Sequence, residues 1–240
     1  MLDTAGVKKT IAEALSRPSL GDLVYERLLK GILSGELRSG STINVRALAK
    51  ELGVSRIPIR DALLRLVAEG LVNNSDSRIA TVARFTRKEA ADVFVVREAL
   101  ECTSARLAAE RITAAQLTEL REIIEQAAGI PTDGDRKVES FDLDNKFHGL
   151  IATTAGNDAL AKEVVRFNQR VWAVQLGRVN ASVELDARVE HLAIVDALAA
   201  GDGDAAEDAM RRHVQNSVSR LLEYWNDPAE ELAQASILQI

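Results

Sequence analysis

Asp144, His148, His191 and His213 are the side chains in this sequence best suited to hold a metal ion. Phe141, Asp144, His148 and Ile151 follow one another at steps of three, four and three, so on a helix they share one face. The rest of that face is apolar and should point into a core. A carboxylate and an imidazole are costly there unless something pairs with them. An i, i+4 Asp–His hydrogen bond is one way to satisfy them, and a bound metal is the other. The sequence holds three histidines in all. His191 falls on a stripe with Ala187, Ile194, Val195 and Leu198, and His213 on one with Ala206, Met210 and Leu221. Every histidine therefore sits on the apolar face of an expected helix. Three core histidines satisfied separately would explain this; one Asp/His/His/His cluster explains all three together. Nitrogen and oxygen donors of this kind suit a divalent metal, zinc first, with nickel, manganese and cobalt also open.

Arg97 shares a stripe with Ala90, Phe94 and Ser104. A guanidinium on such a face wants an anion. Either it pairs internally with a carboxylate such as Glu101, or it clamps an anionic ligand. Arg166 and Arg170 could assist it, while Trp172 and Trp225 are expected to pack.

A second chemistry lies near the N-terminus. Arg56 and Arg60 are one turn apart at the start of an expected helix, so they point the same way, and Arg46 opens the helix before it. Arginine both reads guanine bidentately and grips phosphate. The elements around these residues suit DNA. Ser19 can cap a helix running to about Leu33, with Leu20, Val24, Leu28 and Ile32 inward. A short helix from about Val45 to Leu52 ends at Gly53, a good left-handed cap. Ser55 caps the next, and Pro58 is tolerated in its first turn. Two helices joined by so tight a turn read as a helix-turn-helix. Leu71-Val72-Asn73 and Ile79-Ala80-Thr81-Val82 read as two short strands around residues 74–78, which makes a wing.

Charge agrees with this division. The chain of 240 residues is net −6, which by itself disfavours nucleic acid. Residues 1–86, however, hold 13 Lys+Arg against 9 Asp+Glu, a net +4, while residues 87–240 are net −10. A basic head on an acidic body implies that the head alone meets phosphate. With 47% hydrophobic and 4% aromatic residues, packing should be aliphatic and helical. No run of 18 apolar residues offers a membrane span, the first residues lack a secretory leader, and the single Cys102 cannot make an internal disulfide. A cytoplasmic protein without membrane contact is expected.

From residue 87 onward the periodicity predicts helices over about 87–111, 114–127, 138–155, 157–179, 185–200 and 203–225, with a capping box at Thr113-Ala114-Ala115-Gln116. The expected organisation is an arm (1–18), a winged helix-turn-helix domain (19–85), an all-α domain (86–226) and a tail (227–240).

The run Leu48-Ala49-Lys50-Glu51-Leu52-Gly53-Val54-Ser55-Arg56-Ile57-Pro58-Ile59-Arg60-Asp61-Ala62-Leu63, with Val24-Tyr25-Glu26-Arg27-Leu28 before it and Glu69-Gly70-Leu71-Val72 after it, resembles the winged-helix head of the GntR family of bacterial transcription regulators. The resemblance implies operator contacts by Arg46, Ser55, Arg56 and Arg60. The family's wing-tip glycine is replaced near Arg78-Ile79, where Arg78 could supply a phosphate or minor-groove contact instead. The body resembles the FCD ligand-binding domain of the FadR subfamily. The matching pieces are Val96-Arg97-Glu98-Ala99-Leu100-Glu101, Asp144 with Phe147-His148, Ala155-Gly156-Asn157, Glu190-His191 and Met210-Arg211-Arg212-His213. That resemblance implies a mainly α protein with a helical bundle, a homodimer, a divalent metal on Asp144, His148, His191 and His213, and Arg97 facing a small carboxylate effector such as a hydroxy acid or sugar acid. The expected function is sequence-specific regulation of transcription, usually as a repressor. A metal-dependent hydrolase is the alternative from another class, though no further acid or histidine stands out as a general base. A DNA-binding regulator with a purely structural metal is the third.

Overall fold

A computed structural model describes residues 18–76, 79–128, 130, 137–175, 182–223 and 225. Arg78, residues 1–17 of the expected arm and the expected tail (227–240) lie outside the described residues. The chain divides into two units, the first made of the residues up to Ile32 and Glu36–Ala83, the second of Leu33–Gly35 and the residues from Arg84 onward.

The first unit begins with α1 (Leu20–Leu33). Ser19 caps it as expected: its Oγ accepts from the Asp22 N–H (3.1 Å), and the Asp22 carboxylate accepts from the Ser19 N–H (2.9 Å). Val24, Leu28 and Ile32 are buried, as the periodicity required, whereas Leu20 is exposed. Next come β1 (Thr42–Asn44), α2 (Val45–Leu52), α3 (Arg56–Ala68), β2 (Val72–Asp76) and β3 (Ile79–Val82). The strands form an antiparallel sheet in the order β1-β3-β2, with Thr81 opposite both Thr42 and Asn73. Sequence reading missed β1. Three residues are too few to show alternation, and their pairing partner lies 37 residues on. Asn44 ends that strand and caps α2, its Oδ1 accepting from the N–H groups of Arg46 (2.9 Å) and Ala47 (3.1 Å). Gly53 ends α2 at φ +65°, where a side chain would be strained. α3 buries Pro58, Ile59, Ala62, Leu63 and Leu66, and Tyr25 of α1 donates a hydrogen bond to Glu69 just beyond its end (2.9 Å).

In the second unit every element is helical: α4 (Arg87–Ala109), α5 (Ala114–Ala128), α6 (Lys137–Thr154), α7 (Asp158–Gln175), α8 (Ser182–Ala199) and α9 (Gly203–Glu223). The protein is thus mainly α, with a winged helix-turn-helix and a helical bundle. α4 is the hub of the bundle, lying against α6, α7, α8 and α9. Its start is fixed by a capping box that pattern reading did not find: Thr86 Oγ1 accepts from the Glu89 N–H (3.2 Å), and Glu89 accepts from the Thr86 N–H (2.8 Å). The expected Thr113–Gln116 box caps α5. The core is aliphatic, built on Leu120, Ile151, Ile194, Leu198, Met210 and Leu221, with Phe94 and Phe147. Cys102 is buried in it, and burial pushes its thiol up to about 12. Trp172 lies tilted against Phe141 (4.9 Å), and Trp225 is buried, so both tryptophans pack. No helix among the described residues is long and apolar enough to cross a membrane.

Candidate metal centre and nucleic-acid interface

The helical unit draws its three histidines from α6, α8 and α9 into one place. His148, His191 and His213 are buried, and one ring nitrogen of each lies within 4.8 Å of the others. Asp144, one turn before His148, brings its Oδ1 to 3.6 Å from His148 Nε2 and 3.7 Å from His191 Nε2. These separations are too long for hydrogen bonds. His191 Nε2 and His213 Nε2 are buried with no hydrogen-bond partner among the described residues. An i, i+4 Asp–His hydrogen bond therefore does not account for the cluster. Phe147 holds the rings in place, stacked on His191 (4.2 Å) and edge-on to His148 (5.3 Å).

The other nitrogens of two rings face carboxylates. His213 Nδ1 is 2.9 Å from Glu190 Oε2, and Glu190 is itself held by Arg220 (2.8 and 3.0 Å) and Asn216 (2.8 Å). His148 Nδ1 lies 2.7 Å from Glu101 Oε2. The ring is off the line of an ideal hydrogen bond, so neither atom has a partner by strict geometry; the close approach still fixes which nitrogen faces the acid. A carboxylate behind an imidazole sets its tautomer and turns the far nitrogen toward the centre. Sequence reading named Glu101 only as a partner for Arg97 and foresaw neither its place behind His148 nor that of Glu190 behind His213. Glu190 is the neighbour of His191, but nothing in the sequence marks it as the partner of His213.

Arg97, from α4, is 2% exposed and donates through Nε to Glu101 Oε1 (3.0 Å). The internal pairing considered from sequence is therefore present. Its Nη2 also lies 3.0 Å from His148 Nε2. Of the two arginines thought able to assist it, Arg166 pairs with Glu163 (3.6 Å) and Arg170 lies over the Phe85 ring (5.8 Å).

Charge is finely balanced here. Burial works against the charged form of Glu101, but Arg97 and His148 outweigh it and hold the acid at about 2. Burial likewise opposes an imidazolium at His148, yet Glu101 and Asp144 raise it to about 9. The Arg97 contact pulls the other way, since a guanidinium N–H meets Nε2 well only when that nitrogen carries no proton. His191 is driven well below its ordinary value, first by burial and then by His213. His213 is lowered mainly by burial, against the pull of Glu190. His191 and His213, kept neutral by burial, and the Asp144 oxygen are donors that fit a divalent cation such as zinc, and a cation's charge would drive the proton from His148 so that it could join them.

In the first unit, Arg46 opens α2, and Ser55 and Arg56 open α3, with Arg60 one turn on; all four are exposed. Ser55 stands at the N-cap, but contrary to expectation its side chain makes no capping hydrogen bond. Ser55 is exposed at a helix N-terminus, where backbone N–H groups favour an anion. Ile57, between the two arginines, is 70% exposed.

Residues 20–81 match the gntR family of bacterial regulatory proteins, and residues 92–216 match the FCD domain. The chain belongs to the GntR family. This GntR-family regulator is 31% identical over 222 residues to the HTH-type transcriptional regulator LutR of Bacillus subtilis, across 82% of this chain and 98% of that one. It is 29% identical over 204 residues to a probable D-xylose utilization operon transcriptional repressor of Paenarthrobacter nicotinovorans, across 85% and 89%. In fold it is similar to the solved structure of E. coli McbR/YncC, with a TM-score of 0.74 at 23% identity over 87% of this chain and 99% of that one. The proteins it matches are regulators rather than enzymes, so the hydrolase alternative is set aside. The chain is a DNA-binding transcriptional regulator of the GntR family with an FCD domain.

Proposed function

We propose that this regulator works as a homodimer on operator DNA and is controlled by a small carboxylate held beside a divalent metal. In this reading residues 19–85 bind the operator through Arg46, Ser55, Arg56 and Arg60. Residues 86–226 carry the metal on Asp144, His148, His191 and His213, and Arg97 neutralises the effector's charge. The observation that carries the metal is the convergence of three buried imidazoles, two of them within 3.7 Å of the Asp144 oxygen, with His191 Nε2 and His213 Nε2 left without partners among the described residues. Such nitrogens are expensive to bury unpaired, and a cation would satisfy them together. A cation there would take up an anion's oxygen. The chain's own residues do the rest: Glu101 and Glu190 orient two rings, Phe147 fixes a third, and the aliphatic core excludes water.

Elemental analysis of the purified protein tests the metal. One divalent ion per chain is expected, and His191→Ala/His213→Ala should lose it. Unchanged metal content in that double variant overturns the assignment. Chelation should also lower the melting temperature, because an ion that binds only the folded state stabilises it.

One observation favours a second reading. Arg97 already has Glu101 as a partner, so it does not require an external anion. The metal would then be purely structural, with no effector. Titration of the metal-loaded protein with small acids separates the two.

A further inference from the structure

Ile57 is the most exposed large apolar side chain among the described residues, at 70%. It stands in the first turn of α3, between Arg56 and Arg60. Apolar residues scattered singly on a surface are ordinary, but this one belongs to a pattern. α3 turns Ile59, Ala62, Leu63 and Leu66 into the core of the head. At about 100° per residue, the side directly opposite carries Ile57, Arg60, Asp61 and Leu64. All four are exposed. Isoleucine and leucine thus stand where a solvated helix carries polar residues.

What covers this face follows from its neighbours. Arg46, Arg56 and Arg60 are exposed around it, and residues 1–86 hold 13 Lys+Arg against 9 Asp+Glu, a net +4. Charge complementarity makes the partner a polyanion. The apolar group that the major groove of DNA presents is the C5-methyl of thymine. Asp61 argues against a backbone contact at this point. It lies one turn after Ile57 on the same side, and its carboxylate would repel a phosphate placed there. Base edges can receive it, because cytosine presents an amino donor. The first turn of a recognition helix is also the part that meets base edges. Ile57 and Arg60 are three residues apart, about 4.5 Å along the helix axis. That is close to the base step of about 3.4 Å along one strand. An apolar contact from one and a guanine contact from the other therefore fall on neighbouring base pairs.

We propose that Ile57 is a specificity-determining residue of this regulator, seating its side chain against the methyl group of a thymine next to a guanine read by Arg60. The proposal rests on the DNA reading above and adds the base pair beside the one that arginine reads. Two branches on Cβ hold an isoleucine to essentially one rotamer in a helix, so the contact is preorganised and little freedom is lost on binding. Leu64 is exposed on the same side but lies about 10 Å further along the axis, past the end that meets bases. It serves as the control.

The experiment uses the full chain and duplexes that it selects from a random pool. Each thymine of the selected site is replaced, one at a time, by deoxyuridine, which removes the methyl group and leaves the base pair intact. One thymine beside a guanine should bind about fourfold more weakly on losing its methyl, the worth of one buried methyl group. In Ile57→Ala the same replacement should have almost no effect, while the guanine requirement stays, because Arg56 and Arg60 remain. Ile57→Val keeps the branched carbon and should retain most of the thymine effect; Leu64→Ala should retain all of it. Circular dichroism should show both Ile57 variants folded, since an exposed side chain has been trimmed. If no thymine responds, or if the response survives Ile57→Ala, the inference fails and the DNA reading stands. If Ile57→Ala weakens every duplex alike and sedimentation shows that an association between chains is lost, Ile57 is a protein contact and the inference fails again. If the wild type selects no duplex, or Arg56→Ala/Arg60→Ala binds the selected site undiminished, the reading of the recognition helix falls and takes the inference with it.

Discussion

Arg56 and Arg60 carry the most exposed claim on DNA. They project from the first two turns of α3, the part of a recognition helix that meets base edges and phosphates. Arg60→Ala should cost about 1–3 kcal/mol of operator binding if it reads a base, and should relax specificity at that position. Gel shifts against duplexes selected from a random pool would measure it. Undiminished binding by Arg56→Ala/Arg60→Ala would sink the assignment. These arginines were legible because the helix-turn-helix is local, with every signal within 20 residues. The Asp144–His148 pair was legible for a different reason: a polar pair on a greasy face is an anomaly that periodicity exposes. Glu190, and the second role of Glu101 behind His148, were not legible. On a helix an acid or amide looks like a solvated residue, and only packing against helices dozens of residues away reveals that it is buried or shared.

Helices were found more readily than the devices that start them. Each body helix was expected within a few residues, yet the Thr86–Glu89 box that begins α4 escaped notice beside the charged run Arg84–Lys88. α4 is the hub of the bundle and brings Arg97 and Glu101 to the histidines, so its cap has consequences beyond one turn. Thr86→Ala should destabilise the helical unit by about 1 kcal/mol, and Thr86→Ser should recover most of it. Chemical denaturation followed by circular dichroism would read the shift, and no change in midpoint would mean the box is ornamental. The sign with pH is also fixed. Glu89 is held below its ordinary carboxyl value, first by the Thr86 N–H. Its share of the cap is therefore present above the ordinary range and is lost as pH falls through the lowered value. β1 shows the opposite limit of pattern reading, because a three-residue strand exists only through its pairing with β3.

For the molecule as a whole, opposite charge in the two halves gives each a separate task. The basic head suits phosphate, and the acidic body repels anions unless Arg97 and a cation gather positive charge inside it. A dimer with two-fold symmetry needs an operator with two related half-sites, spaced by about 34–36 Å or a multiple of it. Any change in how two heads are presented would then alter the fit. If a carboxylate in the body controls DNA binding, the coupling is a free energy shared by both sites, typically about 1–3 kcal/mol, or about 5- to 150-fold in affinity. Reciprocity is compulsory: operator DNA must change effector affinity by the factor with which effector changes operator affinity. Calorimetric titration of the zinc-loaded protein with a small carboxylic acid that binds it, with and without operator, should therefore give two different dissociation constants. Arg97→Ala should weaken acid binding in both titrations while leaving Glu101 buried beside His148 without its guanidinium, so metal content must be measured in parallel. Equal acid affinity with and without operator would mean that the body binds its ligand without informing the head, and control of transcription would have to come from elsewhere.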